Sequence, residues 1–308
     1  MPRKVAVILV NWKSWPLTNR CIDSLLKSGP KPSLILVVDN ESVLPPPRFS
    51  DTTVPVEVVR NKRNEGFAQA CNQGIKRAML DRPDFIWLLN NDTVIEPETL
   101  EALTHAMNHH PTAIACSPLI EFEDTSDDLW FAGGHVSPLT GRASHQKKKP
   151  LSTLPFRTQF LSGCSLFIRC AALPDVGNLR SEFFAYSEDE DWCNRAVEQG
   201  WDLLVVPTTT ITHTVSGSGK KNIRGWGSEM RPPFIHYLMI RNGLWVIRLH
   251  SKSSFRRLLR LVIGVAVAGR FLGRNWTQLG SSRRHAIFRA LIDGSFRQIA
   301  QTTRYRED

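Results

Sequence analysis

The chain has 308 residues, 42% hydrophobic and 22% charged, which fits a folded globular protein with a large core. Its net charge of +10 is uneven: residues 216–308 carry 18 Lys+Arg and 4 Asp+Glu, while residues 1–215 carry 21 and 25. A mildly acidic body is thus joined to a basic segment that suits a membrane, nucleic acid or a phosphorylated substrate. The six cysteines (Cys21, Cys71, Cys116, Cys164, Cys170, Cys193) contain no C-x-x-C pair, which argues against a zinc site or a disulfide framework. They read as small buried residues in a reducing compartment. No signal peptide is expected, because Met1-Pro2-Arg3-Lys4 runs straight into Val5 to Val10. The apolar run Leu261 to Gly269 is far shorter than the roughly 18–20 residues that span a bilayer.

Val5 to Val10 reads as a buried strand ending at Asn11-Trp12-Lys13, and Trp15 to Ser28 as a helix stopped by Gly29-Pro30. Leu34 to Val38 is a strand ending on Asp39-Asn40-Glu41-Ser42, and Val54 to Val59 is a shorter one. Asn61 to Gly66 is a polar loop before a helix over Phe67 to Leu80. Phe85 to Leu89 is apolar throughout, as a strand covered on both faces is, and stops on Asn90-Asn91-Asp92. Thr93 to Glu98 reads as a turn into a helix that has Pro97 in its first turn and ends near His109. Ala113 to Ser117 is a strand, and Glu121 to Pro155 reads as irregular. The Lys147-Lys148-Lys149 run within it reads as solvated loop, with contact to an anionic acceptor as the sharper alternative. Phe160 to Arg169 is a strand broken at Ser162-Gly163, where glycine implies close backbone approach. Trp201 to Val206 is a strand, followed by Ile211-Thr212-His213.

Strands alternating with helices predict an α/β sheet covered by helices. Parallel strands share a carboxyl edge, so Asn11, Asp39 and Asp92 would line one rim, where such sheets bind ligands. No P-loop or G-x-G-x-x-G follows a strand. The oxygen side chains of Asn90-Asn91-Asp92 suit a hard divalent cation with positions left for phosphate; an Asx turn explains the same residues. The second dense stretch is Glu188-Asp189-Glu190-Asp191, between Tyr186-Ser187 and Trp192. Ser187 as N-cap with acids in the first turn makes a plain acidic helix start one reading. On that helix Glu188 and Asp191 share a face and Arg195 follows Asp191 at i,i+4. Asp189 diverges, free to face a cleft while Asp191 is held by Arg195 or solvent. His213 is either a structural histidine or a ligand that joins Asp92.

Taken in order, these residues resemble the inverting glycosyltransferases of family 2, near the rhamnosyltransferase-like members, over about residues 4 to 250. The resemblance rests on Val10-Asn11-Trp12, Val38-Asp39-Asn40-Glu41-Ser42, Asn64-Glu65-Gly66-Phe67-Ala68 with Asn72 and Gly74, and Leu88-Leu89-Asn90-Asn91-Asp92-Thr93. It continues through Ser162-Gly163-Cys164, Phe183 to Trp192, Gly200-Trp201 and His213. It implies a GT-A fold, a Rossmann-like, mostly parallel sheet with flanking helices. Asn11 and Asp39 are implied as nucleoside contacts, with Arg63, Asn64, Asn72, Asn90 and Asn91 also on the donor nucleotide. Asn90-Asn91-Asp92 stands at the DXD position, with Asn90 in place of its first Asp, so Asp92 and His213 are the implied ligands of Mg²⁺ or Mn²⁺. Asp189 is the implied general base, and Glu188, Asp191, Trp192 and Arg195 the implied acceptor side. The residue types agree with the chemistry: a cation neutralises a leaving diphosphate, and one carboxylate takes the acceptor hydroxyl's proton.

Two domains are expected: residues 1–215 as the GT-A catalytic domain and 216–308 as a basic helical region. Within the latter, Ser216 to Lys221 reads as a lid or a linker. Helices are expected over Phe234 to Leu249, Ser254 to Leu272 and Arg283 to Ile299. Arginines and aromatics on them fit an interfacial membrane segment, and packing on the catalytic domain or a second subunit is the alternative. The expected activity is metal-dependent inverting transfer from a nucleotide sugar, dTDP-L-rhamnose among them, to a lipid-linked or cell-surface polysaccharide. The implied setting is the cytoplasm, peripheral on the inner face of the cell membrane, with a homo-oligomer compatible and nucleic acid not expected. Two alternatives stand beside it, an inactive nucleotide-sugar or glycan-binding module and a sugar-nucleotide pyrophosphorylase.

Overall fold

The computed structural model describes residues 3–49, 52–123, 125–214, 232–277 and 279–297. The lid or linker expected at Ser216 to Lys221 lies outside them. A sheet of ten strands runs through the body, and its parallel half comes first in the chain. β1 (Val5–Asn11), β2 (Leu34–Asn40), β3 (Val56–Asn61) and β4 (Phe85–Asn90) lie in the order β4-β1-β2-β3, all parallel. Their residues are nearly continuous Val, Ile and Leu because helices cover both faces. α1 (Trp15–Leu26) and α2 (Phe67–Ala78) are two of these, and α2 comes so close to β1 that a Cβ on Gly74 would sit 2.4 Å from Ile8 Cγ2. The register puts Asn11 opposite Asp39 and Val10 opposite Asn90, so the polar strand tips share one rim as expected.

Beyond β4 the sheet is mixed. β6 (Ala113–Phe122), β11 (Ser165–Arg169) and β12 (Asp202–His213) complete it, with β11 antiparallel between β4 and β6, and β12 parallel to β6. Several expectations are corrected here. Thr93 to Glu98 is not only a turn: β5 (Thr93–Ile95) pairs with β12, and α3 (Thr99–His109) starts after Pro97. The stretch read as irregular holds β7 (Thr125–Phe131), β8 (Gly134–Val136) and β9 (Ala143–His145), and β10 (Phe156–Thr158) follows as an edge strand. These strands are short or carry polar residues, so no apolar alternation marks them. The Ser162-Gly163 break is complete, and only Ser165–Arg169 is strand. The stretch expected as a strand at Trp201 to Val206 and a separate Ile211-Thr212-His213 is one strand, Asp202–His213, bent by a bulge between Val206 and Thr210.

After α4 (Leu173–Val176), α5 (Glu188–Glu198) carries the acidic run. α6 (Pro233–His250), α7 (Ser254–Arg274) and α8 (Ser281–Ser295) form the C-terminal region. α6 is not a surface amphipathic helix; eleven of its residues, His236 to Ile247 almost throughout, are buried between α8, α7 and the body. No described helix is long and apolar enough to cross a membrane. All six cysteines are free and buried.

Candidate functional site

The rim is a web of side-chain amides. Asn11 is fully buried and donates from Nδ2 to Asp39 Oδ1 (2.9 Å) and Ser42 Oγ (3.0 Å), while its Oδ1 accepts from Thr18 Oγ1 (2.9 Å). Asp39, also buried, takes its second bond from Arg60 Nε at 3.1 Å. Arg60 goes on to the Ser42 and Leu44 carbonyls, and an open cleft of about 380 Å³ is lined by Glu41, Ser42, Val43, Arg60, Asn61 and Lys62. Asn40 accepts from Asn61 and the Glu65 amide and donates to Asn64 Oδ1 at 2.7 Å, which fixes the loop leading to α2. Arg63 is exposed and bonds Glu65 at 2.6 Å. Arg60 and Asn40 were not expected; Asn40 stands beside Asp39 on the strand tip, which was signal enough.

Some expected donor contacts point elsewhere. Asn72 clamps the backbone of Leu179 with two hydrogen bonds (2.7 and 3.1 Å) and ties α2 to the loop before α5. Asn91 donates to Thr18 Oγ1 at 2.8 Å, so it braces α1. The Asn90 amide bonds Cys164 O. The structure brings Asp92 and His213 together, with Oδ1 and Nε2 3.1 Å apart. His213 is buried against Trp130, and its Nδ1 has no partner among the described residues. Burial opposes a charged imidazole, but neighbouring Cys164 and the Asp92 carboxylate overcome it and push its pKa up. No cluster of three or more His, Cys, Asp and Glu gathers as a metal site among the described residues. Asp92 and His213 are nonetheless a carboxylate-imidazole donor pair, and the buried Nδ1 has no hydrogen-bond partner among the described residues.

The acidic turn is reached through strained backbone. Phe184, Tyr186 and Ser187 all have φ between 66° and 69°, a left-handed conformation costly for side chains of this size. Two neighbours hold it. Ala68 N donates to Phe184 O, and Gly66 (φ 88°) lies so close that a Cβ there would meet the same oxygen at 2.6 Å. From α6, buried Asn242 places Nδ2 at 2.9, 2.8 and 2.7 Å from the carbonyls of Phe183, Ala185 and Tyr186. Arg241 adds bonds to the Glu182 and Phe183 carbonyls. Arg241-Asn242 is an adjacent polar pair amid the apolar middle of α6, the one signal in sequence that it faces backbone.

Ser187 precedes α5 as expected, but its hydroxyl accepts from Arg142 instead of capping the helix. Asp189 Oδ2 accepts from the Gly163 amide and Oδ1 from the Glu190 amide, both at 2.8 Å. Burial outweighs these bonds and raises its pKa to about 6. Glu188 is buried, its Oε2 has no partner among the described residues, and burial together with the Asp189 charge pushes it well above the usual carboxylate range. Glu190 is bound by Arg142 and the Ala143 amide. The residues implied for the acceptor side lie inside: Asp191 is fully buried on Arg180, Arg195 and His250, and Trp192 is buried with Nε1 on Gly177 O. Arg195 also reaches the Val176 and Asn178 carbonyls. Lys147-Lys148-Lys149 is exposed.

The family profile described as glycosyl transferase family 2 matches residues 6–177. The chain is 25% identical over 302 residues to the N-acetylglucosaminyl-diphospho-decaprenol L-rhamnosyltransferase of Mycobacterium tuberculosis, covering 84% of this chain and 97% of that one. It is 21% identical over 267 residues to the dTDP-rhamnosyl transferase RfbF of Shigella flexneri, covering 84% and 85%. Among solved structures, GalNAc-T7 with UDP, GalNAc and Mn²⁺ superposes with a TM-score of 0.59 at 17% identity, covering 80% of this chain and 48% of that one. S. aureus TarS 1-349 in complex with UDP-GlcNAc gives 0.54 at 16% identity, covering 94% and 80%. These two likenesses concern the fold.

Proposed function

The chain belongs to glycosyl transferase family 2, in its rhamnosyltransferase-like branch and with a GT-A fold, and we propose that it transfers a sugar with inversion from a nucleotide-sugar donor to a lipid-linked or cell-surface polysaccharide. The observation that carries this reading is the Ser162-Gly163-Cys164 turn. Its Gly163 amide orients Asp189, and its Cys164 neighbours His213, the partner of Asp92. One short turn thus registers a base against a candidate cation pair.

Asp189 takes the proton from the acceptor hydroxyl as that oxygen attacks the anomeric carbon. A pKa of about 6 leaves it mostly ionised at neutral pH and more basic than a free carboxylate. Attack assisted by a single base inverts the centre. Asp92 and His213 would hold Mg²⁺ or Mn²⁺. They supply one nitrogen and one oxygen donor side by side, 3.1 Å apart. Bound there, the cation would neutralise the departing diphosphate. Asp39 with Arg60, Arg63 and Asn64 would take the nucleoside side, next to the Glu41–Lys62 cleft. The names of the two curated relatives support dTDP-L-rhamnose as donor, and the mycobacterial one supports a polyprenyl-diphosphate-linked acceptor.

Donor hydrolysis without acceptor tests this reading, across a panel of nucleotide sugars with Mg²⁺, Mn²⁺ or EDTA. The expected outcome is slow, metal-dependent nucleotide release, fastest from dTDP-L-rhamnose. If no nucleotide sugar binds or turns over, an inactive glycan-binding module replaces it; binding without turnover points to an inactive nucleotide-sugar-binding module.

A further inference from the structure

The three C-terminal helices, all basic and partly apolar, differ in what they expose. α6 is buried and α8 packs on it, but α7 turns Phe255, Leu258, Leu259, Val262 and Val265 to solvent, with Phe255 76% and Val262 58% exposed. Ala268 and Leu272 face the core. At about 100° per residue, Leu258, Phe255, Val262, Ala266 and Leu259 fall into one sector roughly 100° wide beside the buried Ala268 and Leu272, centred roughly 110° around the helix from them. Arg256, Arg270 and Arg274 border the sector and are exposed. We propose that this face of α7 lies in the headgroup layer of an anionic membrane, with the arginine border on lipid phosphates. The purpose, delivery of Asp189 to a lipid-linked acceptor, rests on the transferase reading; the binding does not.

Charge selects lipid over a second copy of the chain. No Asp or Glu occurs from Pro232 to Ile292. A two-fold contact through α7 would set arginines against arginines, whereas an anionic surface pairs with each of them. The first turn of α7 holds Arg256 and no acid, although a helix N-terminus favours negative charge there. Phosphates at that end satisfy both the helix dipole and the arginines. The 21 residues of α7 reach about 30 Å, yet no described helix can cross a bilayer, so α7 lies along the surface. It is also fixed to the site. Arg260 bonds Pro138 O, α7 packs on α6, and Asn242 of α6 holds the turn that carries Asp189. Seating α7 on lipid therefore sets the height of Asp189 above the bilayer.

Vesicle sedimentation of the full chain tests this, with phosphatidylcholine alone and with about 30% phosphatidylglycerol. The expected result is at least tenfold more protein on the anionic vesicles, released by about 0.5 M salt. Leu259→Glu with Val262→Glu should lower that binding at least tenfold, and Arg270→Gln with Arg274→Gln should lower it less. Phe255→Ser, at an exposed site with no packing at stake, repeats the test independently of folding. Three results would overturn the proposal: equal binding to both vesicles, binding that survives these variants, or a dimer that the glutamates dissolve without any lipid binding. Donor hydrolysis is read in solution without vesicles. A failed membrane assay therefore leaves the transferase reading standing, and an inactive donor assay leaves the membrane result interpretable.

Discussion

Four consecutive carboxylates open α5, and the structure divides them into two unlike pairs. Glu190 and Asp191 are buried and matched, the first by Arg142 and the second by Arg180, Arg195 and His250. Burial pushes Asp191 up, but the His250 hydrogen bond and the two arginine charges hold it below the usual range. Glu188 and Asp189 have no salt bridge among the described residues, and both are pushed up. A buried carboxylate with a cation holds the structure together. One held only by backbone amides stores the basicity that proton transfer uses.

Asp189→Asn should separate the pairs most strongly. Transfer should fall by about 10²- to 10⁴-fold in a steady-state assay, while thermal stability at neutral pH holds or rises. The sign follows from a raised folded-state pKa: the stability Asp189 contributes is present below the unfolded value and lost as pH rises through about 6. The same titration predicts that wild-type kcat/KM declines tenfold per unit below about pH 6. A flat profile across that range would break the assignment.

Asp191→Ala should do the reverse. It strands Arg195 and His250 in the interior at a cost of about 3 kcal/mol, read as a denaturant midpoint shift, with the remaining folded enzyme still active. Asn242→Ala lies between the two. Removing its bonds to Phe183, Ala185 and Tyr186 should cost about 1–3 kcal/mol. It should also lower kcat more than it changes donor KM, because a positioning residue acts through Asp189. Arg63→Ala should be smallest in stability, under about 1 kcal/mol, since its pair with Glu65 is exposed. A rise in donor KM without loss of stability would place Arg63 on the nucleotide.

Local pattern made the parallel half of the sheet readable. Short apolar runs at Val5 to Val10, Leu34 to Val38 and Phe85 to Leu89, rich in β-branched or aromatic residues, read as strands covered on both faces, and their polar tips share a rim. The short strands between Thr125 and Thr158 escaped because their pairing partners, not their own residues, make them strands.

The sequence by itself determined the class of sheet, the rim residues Asn11, Asp39 and Asp92, and the acidic start of α5. It also placed the positive charge in the last third. Tertiary structure alone decided which carboxylate is matched, because the cations come from distant positions: Arg142 from β8–β9, Arg180 from the loop before α5, His250 from the end of α6. It alone decided that α6 is core and α7 is surface. Amphipathicity says that a helix has an apolar face; only the packed neighbours say whether that face is already covered.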